Sequence, residues 1–258
     1  MNPLARIPAT VTQHEASPKM SERYVHIDSS KVIELMAREG FRVAKIDTPN
    51  SRKNSSLDPL FCRHQIDFRR EDWDASPRGD RRGGYVPRMI YNNSHDGTTA
   101  ASWMLGVYAF VCSNGIVVGS TYARERVRHS GESAQTMLGR MEGLAKNVAP
   151  MFDQIESWQA KQLTKPQATE FARLASVLRW EDPNRFAPED VLKVRRAEDD
   201  AGDLWTVFNR VQENTVRGGL IGLSPTGRAA TSRPLSEINS ANKFNADLWR
   251  LAEEFATL

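Results

Sequence analysis

The spacing of apolar residues changes along the chain, from a strand-like pattern to a helical one. Between Phe61 and Tyr122, strand-like patterns dominate: the second half of residues 61–69 alternates with the two-residue period of β-strands, and residues 103–112 carry apolar side chains on both faces. After Ser133, apolar residues recur every three or four positions, as in amphipathic helices. The pattern predicts an α+β fold, with an antiparallel sheet and a packed helix in the N-terminal half and a helical C-terminal half.

The N-terminal half is predicted to begin with one helix and continue with strands. Asp28 offers an N-cap, apolar residues follow at helical spacing, and Gly40 stands where a helix ends. The Asn-Gly step at 114–115 suits a tight hairpin turn, because it supplies positive φ angles. Residues 92–97 form a dense turn signal, built by side chains that bond to the backbone. The predicted strands cover residues 41–46, 61–69, 85–91, 103–111 and 116–122.

The C-terminal half is predicted to consist of consecutive helices. One apolar stripe runs from Met137 past Pro150, and the proline is expected to kink or divide that helix. Thr164 and Gln167 form a capping box that opens a helix to about residue 179. Further helices are predicted for residues 203–217 and 236–258.

These elements predict three segments. Residues 1–22 mix proline, serine and charge without periodicity, which predicts a flexible N-terminal arm. Residues 23–132 form the sheet-rich α+β core, and residues 133–258 form a helical region packed on it.

Composition limits the class of protein without naming a function. The net charge is +3, which is compatible with a polyanionic partner but does not require one. Two cysteines cannot form a disulfide framework, and we find neither a signal-peptide pattern nor a stretch of about 20 apolar residues. We therefore expect a cytoplasmic protein that does not enter the membrane.

Basic residues are concentrated beside the predicted strands. Alternation in the segment 124–129 would place three arginines on one side of a strand, where their planar guanidinium groups suit phosphate oxygens. Nearby aromatic rings offer stacking faces for unpaired bases. The candidate nucleic-acid ligands are Arg69, Arg70, Arg81, Arg82, Arg88, Arg124, Arg126, Arg128, His129 and Arg217, and the stacking candidates are Trp73, Tyr85, Tyr91 and Tyr108.

The same arginines also fit an ordinary solvated sheet edge. Residues 60–130 contain ten Arg or Lys and seven Asp or Glu, so the local excess of positive charge is small. A cluster of this size is common on protein surfaces that bind nothing.

Metal binding and catalysis lack the spacings that would indicate them. Among Cys62, His64, His95, Cys112 and His129, only the first two lie close together in sequence, so we expect buried cysteines and turn histidines without a metal. His95-Asp96 and His129 beside Cys112 could be read as acid–base groups and a nucleophile, but a thiol at the end of an apolar strand is usually inert. No phosphate loop, dinucleotide fingerprint or nucleophile elbow is present, so we expect no catalytic residue and no cofactor.

The segment 212–219 ends a predicted helix in an unusual way. Gln212, Asn214 and Arg217 come just before Gly218-Gly219. These glycines would either allow close approach of a phosphate or another chain, or simply terminate the helix.

Three stretches together resemble a known family. They are residues 87–97, residues 106–115 with 127–131, and residues 204–219 with the closing segment 245–249. In this order they are similar to the phage- and plasmid-borne proteins grouped as domain of unknown function 932, over about residue 23 to the C-terminus. Ala109 departs from the pattern, because the family is expected to have arginine there.

The resemblance implies a mobile-element setting, in replication, recombination, transfer or defence evasion, and brings no established activity. At the level of fold alone, it suggests an analogy with single-strand annealing recombinases. We therefore expect a non-enzymatic nucleic-acid-binding protein, with single-stranded DNA as the partner, and homo-oligomers are a further expectation because annealing proteins form rings or filaments. The alternative hypothesis is a protein-interaction module that inhibits a host defence protein through the loop 70–84.

Overall fold

The chain adopts an α+β fold in a computed structural model, which describes residues 7–49, 58–74, 85–109, 115–117, 124–127, 134–224 and 226–258. An antiparallel sheet lies in the N-terminal half, and the C-terminal half is mostly helical. The chain divides into two compact units. Unit 1 contains the described parts of residues 1–76, 86–106 and 121–148, and unit 2 those of 77–85, 107–120 and 149–258.

The strands are β1 (Phe41–Asp47), β2 (His64–Arg70), β3 (Tyr85–Asn93), β4 (Ala101–Ala109), β5 (Gly115–Val117), β6 (Arg124–Val127), β7 (Ile221–Leu223) and β8 (Ala229–Thr231). The helices are α1 (Ser29–Arg38), α2 (Glu71–Asp74), α3 (Ala134–Ala145), α4 (Val148–Ala160), α5 (Lys165–Trp180), α6 (Pro188–Val191), α7 (Leu204–Arg217) and α8 (Ile238–Ala256). A 3-10 turn covers Ala197–Asp199.

The larger sheet has the strand order β1-β2-β3-β4-β5, and β6 pairs with β4. The pairs β1–β2, β2–β3 and β4–β6 are antiparallel, with Ile66 opposite Tyr91 in β2 and β3 and Ser102 opposite Arg126 in β4 and β6. The ring of Tyr91 lies 4.8 Å from that of Trp103, so both rings project from the same face. Because side chains alternate along a strand, these pairs assign the other strand residues to one face or the other.

Helix α1 covers one face of the sheet in unit 1, which we call the helix face. Asp28 begins the helix by accepting hydrogen bonds from the amides of Ser30 and Lys31, a cap that typically contributes about 1 kcal/mol. The helix buries Val32 and Met36 and packs against β1. The predicted helix is therefore confirmed.

Residues 7–28 belong to unit 1 and pack against its other parts, so the prediction of a flexible arm is wrong for residues 7–22. Thr10 and Val11 are fully buried, and the Thr10 hydroxyl donates to the Cys62 carbonyl at 2.7 Å. The Ser17 amide donates to the His95 carbonyl at 2.8 Å. The polar composition of the segment suggested disorder. Composition alone could not show that its side chains and amides bond to groups distant in sequence.

An aromatic cluster forms the core of unit 2. The Trp158 ring lies 4.5 Å from that of Trp249 and 5.8 Å from that of Phe208, and Trp205 stacks on Phe208 at 5.6 Å. Helices α5, α7 and α8 pack against one another around it. These rings are all buried.

The helix boundaries after the sheet follow local chemistry. The capping box of Thr164 and Gln167 is present at the start of α5, as predicted. The predicted division of the helix near Pro150 is confirmed, because the break falls at residues 146–147 and the proline lies in the first turn of α4. A missing amide costs little in a first turn.

Candidate nucleic-acid interface

The sheet face opposite α1, which we call the polar face, carries most of the sheet's charged side chains. In β2, the residues that alternate with buried Ile66 and Phe68 are polar. The register assigns Arg88 and Asn92 of β3 and Ser102 of β4 to the same face. The charged side chains of this face are Arg42, Lys45, Asp47, Asp67, Arg69, Arg88 and Arg126.

Three of the predicted arginines, Arg69, Arg88 and Arg126, lie on this face. Arg69 and Arg126 are exposed, whereas Arg88 is half-buried and donates to the Pro87 carbonyl at 2.9 Å. The backbone of residues 124–127 is extended, as the predicted row requires, and Arg124 stands opposite Met104 in the register. Arg81, Arg82, Arg128 and His129 lie outside the described residues.

Acidic residues balance part of the charge of this face, and Arg42 pairs with Glu71 at 2.8 Å. Asp67 is buried and accepts a hydrogen bond from Gln65 at 3.0 Å, and Asp47 pairs with Lys45 at 2.8 Å. Glu125, between the two arginines of β6, stands on the opposite face and pairs with Arg140 of α3 at 3.0 Å. Glu125 therefore does not lie beside Arg126 on the polar face, where Arg126 is exposed.

Arg70 lies on the helix face and stabilises the fold. Its guanidinium donates two hydrogen bonds of 2.6 Å to Asp72. The same group lies 4.8 Å from the ring centre of Trp73 and 5.2 Å from that of Phe41. These contacts with a carboxylate and two rings give Arg70 a structural role, and its assignment as a phosphate ligand stays a prediction.

Three stacking candidates are core residues. Trp73, Tyr85 and Tyr91 expose 7%, 2% and 0% of their surface. Burial raises the pKa of the Tyr91 hydroxyl well above its ordinary value. No base can stack on these rings in this fold, which corrects the prediction, and the side chain of Tyr108 lies outside the described residues.

Three histidines of unit 1 pack together beneath the N-terminal segment. The His95 ring centre lies 4.5 Å from that of His26 and 5.2 Å from that of His64. His95 Nε2 donates to the Thr10 carbonyl at 2.8 Å, and the His64 ring lies between the hydroxyls of Thr10 and Ser29. Burial and the neighbouring His95 lower the pKa of His64 to about 3, so this imidazole is neutral at pH 7.

These histidines are structural, and the described residues contain no group of three His, Cys, Asp or Glu side chains able to hold a metal ion. Burial raises the pKa of the Cys62 thiol, which disfavours the reactive thiolate. Cys112 and His129 lie outside the described residues. The predicted turn at 92–97 is confirmed, since Asn93 and Asp96 accept hydrogen bonds from the amides of Ser94 and Thr98.

A groove of about 340 Å³ lies between the N-terminal segment and α1. Its polar lining consists of His14, His26, Asp28 and Lys31. His14 Nδ1 lies 2.8 Å from an Asp28 oxygen. Burial by itself would raise the pKa of Asp28, but hydrogen bonds from Ser30, His14 and backbone amides outweigh it and lower the pKa to about 2. The sequence offered no signal for this groove, because it depends on how the segment docks.

The segment 212–219 supports the interior of unit 2. Glu213 binds both Arg196 and Arg217, and Asn214 donates to the carbonyls of Val191 and Lys193 at 2.8 and 2.9 Å. Arg217 thus pairs with Glu213 at 2.9 Å, which accounts for its position without a phosphate.

The glycine pair after α7 acts within the chain. The helix ends at Arg217, and Gly218 has a φ of +74°. A Cβ at Gly218 would lie 2.7 Å from the backbone of Arg233 and Pro234. Helix termination is therefore confirmed, and the close approach is to the chain's own backbone.

Comparisons with known proteins identify relatives without an assigned activity. A family model described as "Domain of unknown function (DUF932)" matches residues 18–249. Two proteins of Escherichia coli strain K12, "UPF0380 protein YafZ" and "UPF0380 protein YfjQ", are 31% and 30% identical to the chain, and each alignment covers 98% of this chain and 90% of the relative. No solved structure is significantly similar. None of the described helices is both long and apolar enough to cross a bilayer.

Proposed function

The chain belongs to the DUF932 family, and we propose that it is a non-enzymatic nucleic-acid-binding protein whose partner is single-stranded DNA. The supporting observation is the polar face, which carries Arg69, Arg88 and Arg126 on three strands, with Arg69 and Arg126 exposed. Such a protein would act in the cytoplasm, protecting or annealing strands during recombination or replication.

Phosphate contact is the chemistry that this face suits best. Guanidinium groups keep their charge at all physiological pH values and bind phosphate oxygens in pairs. Arg124 and Arg126 are two residues apart, which is about 6.6 Å along a strand. Since Trp73, Tyr85 and Tyr91 are buried, the proposal for this face involves the nucleic-acid backbone and not its bases.

A salt series on a paired set of variants tests the proposal. We expect Arg69→Ala/Arg126→Ala to weaken binding of labelled single-stranded DNA and to flatten the slope of log K against log salt by about 0.7 for each lost contact. Stability should change by no more than about 0.5 kcal/mol per exposed site. Fluorescence anisotropy and thermal unfolding on the same preparations give both quantities.

The control removes the same charge elsewhere. Lys243→Ala/Arg250→Ala deletes two exposed cations of α8 and should leave the salt slope unchanged. If the wild-type protein binds neither DNA nor RNA tighter than about 10 µM at 50 mM salt, where phosphate-driven affinity is high, the proposal is wrong.

The alternative, a module that blocks a host protein, has less support. It depended on the loop 70–84, of which residues 75–84 lie outside the described residues. Recovery of one host protein with the wild-type chain, without bound nucleic acid, would favour it.

A further inference from the structure

The β7–β8 hairpin of unit 2 exposes two large aliphatic side chains. Ile221 and Leu223 are 73% and 56% exposed, and the register pairs them with Thr231 and Ala229, which are also exposed. All four residues share one face, because directly paired residues of an antiparallel ladder lie on the same side. The hairpin therefore presents an apolar strip to solvent.

The opposite face of the hairpin is packed, which keeps Ile221 and Leu223 exposed. A Cβ at Gly222 would lie 2.2 Å from the Arg185 carbonyl oxygen and 2.5 Å from the Phe186 ring, so the hairpin backbone sits directly on these residues. The Leu223 amide also donates to the Arg185 carbonyl at 3.3 Å. A shift of the strand by one residue would place the side chain of Ile221 or Leu223 where Gly222 contacts Arg185 and Phe186. Ile221 and Leu223 therefore cannot turn inward.

The end of the hairpin is ordered by its own hydrogen bonds. The Ser224 amide donates to the Arg228 carbonyl at 2.7 Å, and the Arg228 amide donates to the Ser224 hydroxyl at 3.0 Å. Gly227 adopts a φ of +76° within the turn. Arg228 is therefore held at a defined place beside the apolar strip.

The charged residues of the hairpin and its flanking segments all have the same sign. Residues 218–236 contain no aspartate or glutamate, and their two charged residues are Arg228 and Arg233, both exposed. Neither arginine forms an ion pair within the described part of the chain. The nearest acids along the sequence are Glu213, which binds Arg196 and Arg217, and Glu237, which caps α8. The surface suits a partner that is apolar in places and negatively charged beside them.

We infer that this hairpin is a second nucleic-acid contact, in which Ile221 and Leu223 pack against unpaired bases and Arg228 and Arg233 bind the adjacent phosphates. This inference rests on the proposed function. Aliphatic side chains are known to pack against exposed base faces when they wedge into nucleic acids, and arginine binds phosphate bidentately. Single strands expose their base faces, whereas paired duplexes cover them by stacking.

Two hairpin variants separate the two kinds of contact. Ile221→Thr/Leu223→Thr should weaken binding of single-stranded DNA about fivefold to tenfold with the salt slope unchanged, because no charge is removed. Arg228→Ala/Arg233→Ala should flatten the slope by about 0.7 per lost contact. Binding of a blunt duplex should be nearly insensitive to the first variant. Anisotropy titrations give these values, and circular dichroism checks that the variants fold.

The control is Val177→Ala/Leu178→Ala, which removes a second exposed apolar pair of unit 2, 37% and 39% exposed, and should leave binding unchanged. If the wild type binds DNA and Arg69→Ala/Arg126→Ala weakens that binding, but neither hairpin variant does, the inference is wrong and the proposed function stands. No binding by the wild type would overturn both. A wild-type dimer in light scattering that Ile221→Thr/Leu223→Thr converts to a monomer, with DNA affinity unchanged, would show a contact between copies of the chain and overturn the inference.

Discussion

At the scale of single residues, neighbours in space decide which charged groups are available for binding. Arg69 and Arg70 are adjacent in sequence and equally plausible as ligands. The strand directs Arg69 to the polar face and Arg70 onto Trp73, where Asp72 holds it. Local pattern identifies an arginine-rich strand end, but the separation of the two roles requires knowing what covers each face.

The histidine cluster predicts sensitivity to acid. The pKa of His64 is about 3 in the folded state and close to 6.5 when exposed, so the unfolded chain binds the proton more readily. The contribution of His64 to the free energy of unfolding is therefore fully present above pH 6.5. It decreases as the pH drops towards 3, by at most about 1.4 kcal/mol per pH unit. Urea unfolding at pH 7.5, 5.5 and 4.5 measures the slope.

His64→Gln should flatten this pH dependence, because glutamine keeps hydrogen-bonding groups and does not titrate in this range. Identical slopes in wild type and His64→Gln would mean that His64 is not the titrating group.

At the scale of elements, signals confined to a few neighbouring residues predict well. The N-cap of α1, the capping box of α5 and the start of α7 at Asp203 were all predicted from local sequence. The β7–β8 hairpin was missed, because strands of three residues are too short for a period of two to be recognised. Its position depends on Gly222, whose contact is with a distant segment.

Substitution of two glycines by alanine should have opposite effects on the stability of the protein. Gly222→Ala should destabilise the protein by about 1–3 kcal/mol, because the added methyl group overlaps the Arg185 carbonyl. Gly139→Ala should stabilise it by about 0.5–1 kcal/mol, since Gly139 lies inside α3 with no atom within 4 Å of a new Cβ. Chemical denaturation of both variants checks the signs, and a neutral Gly222→Ala would contradict the close contact.

At the scale of the whole molecule, composition and periodicity predicted the α+β class and the order of its halves. They did not predict that Arg88 and Arg126 share a face, because that depends on strand register between segments far apart in sequence. They also misjudged residues 7–22, whose buried contacts are with β2 and the turn after β3.

Removal of residues 1–22 tests the docking of this segment. The flexible-arm interpretation expects unchanged stability, whereas the structure expects a loss of at least about 2 kcal/mol from the burial of Val11 and the hydrogen bonds of Thr10. Hydrogen exchange should accelerate in β2 and β3 and stay unchanged in α5 and α8. Equal exchange in all four elements would support the arm.

Asp28 uses its two carboxylate oxygens for different tasks. Oδ1 accepts from the first amides of α1, and Oδ2 holds the His14 imidazole of the N-terminal segment at the mouth of the groove. Because one side chain joins them, the order of the helix start and the docking of the segment are thermodynamically linked, and the linkage is reciprocal. A molecule that entered the groove and broke the contact between His14 and Asp28 would therefore also change the stability of the first turn of α1.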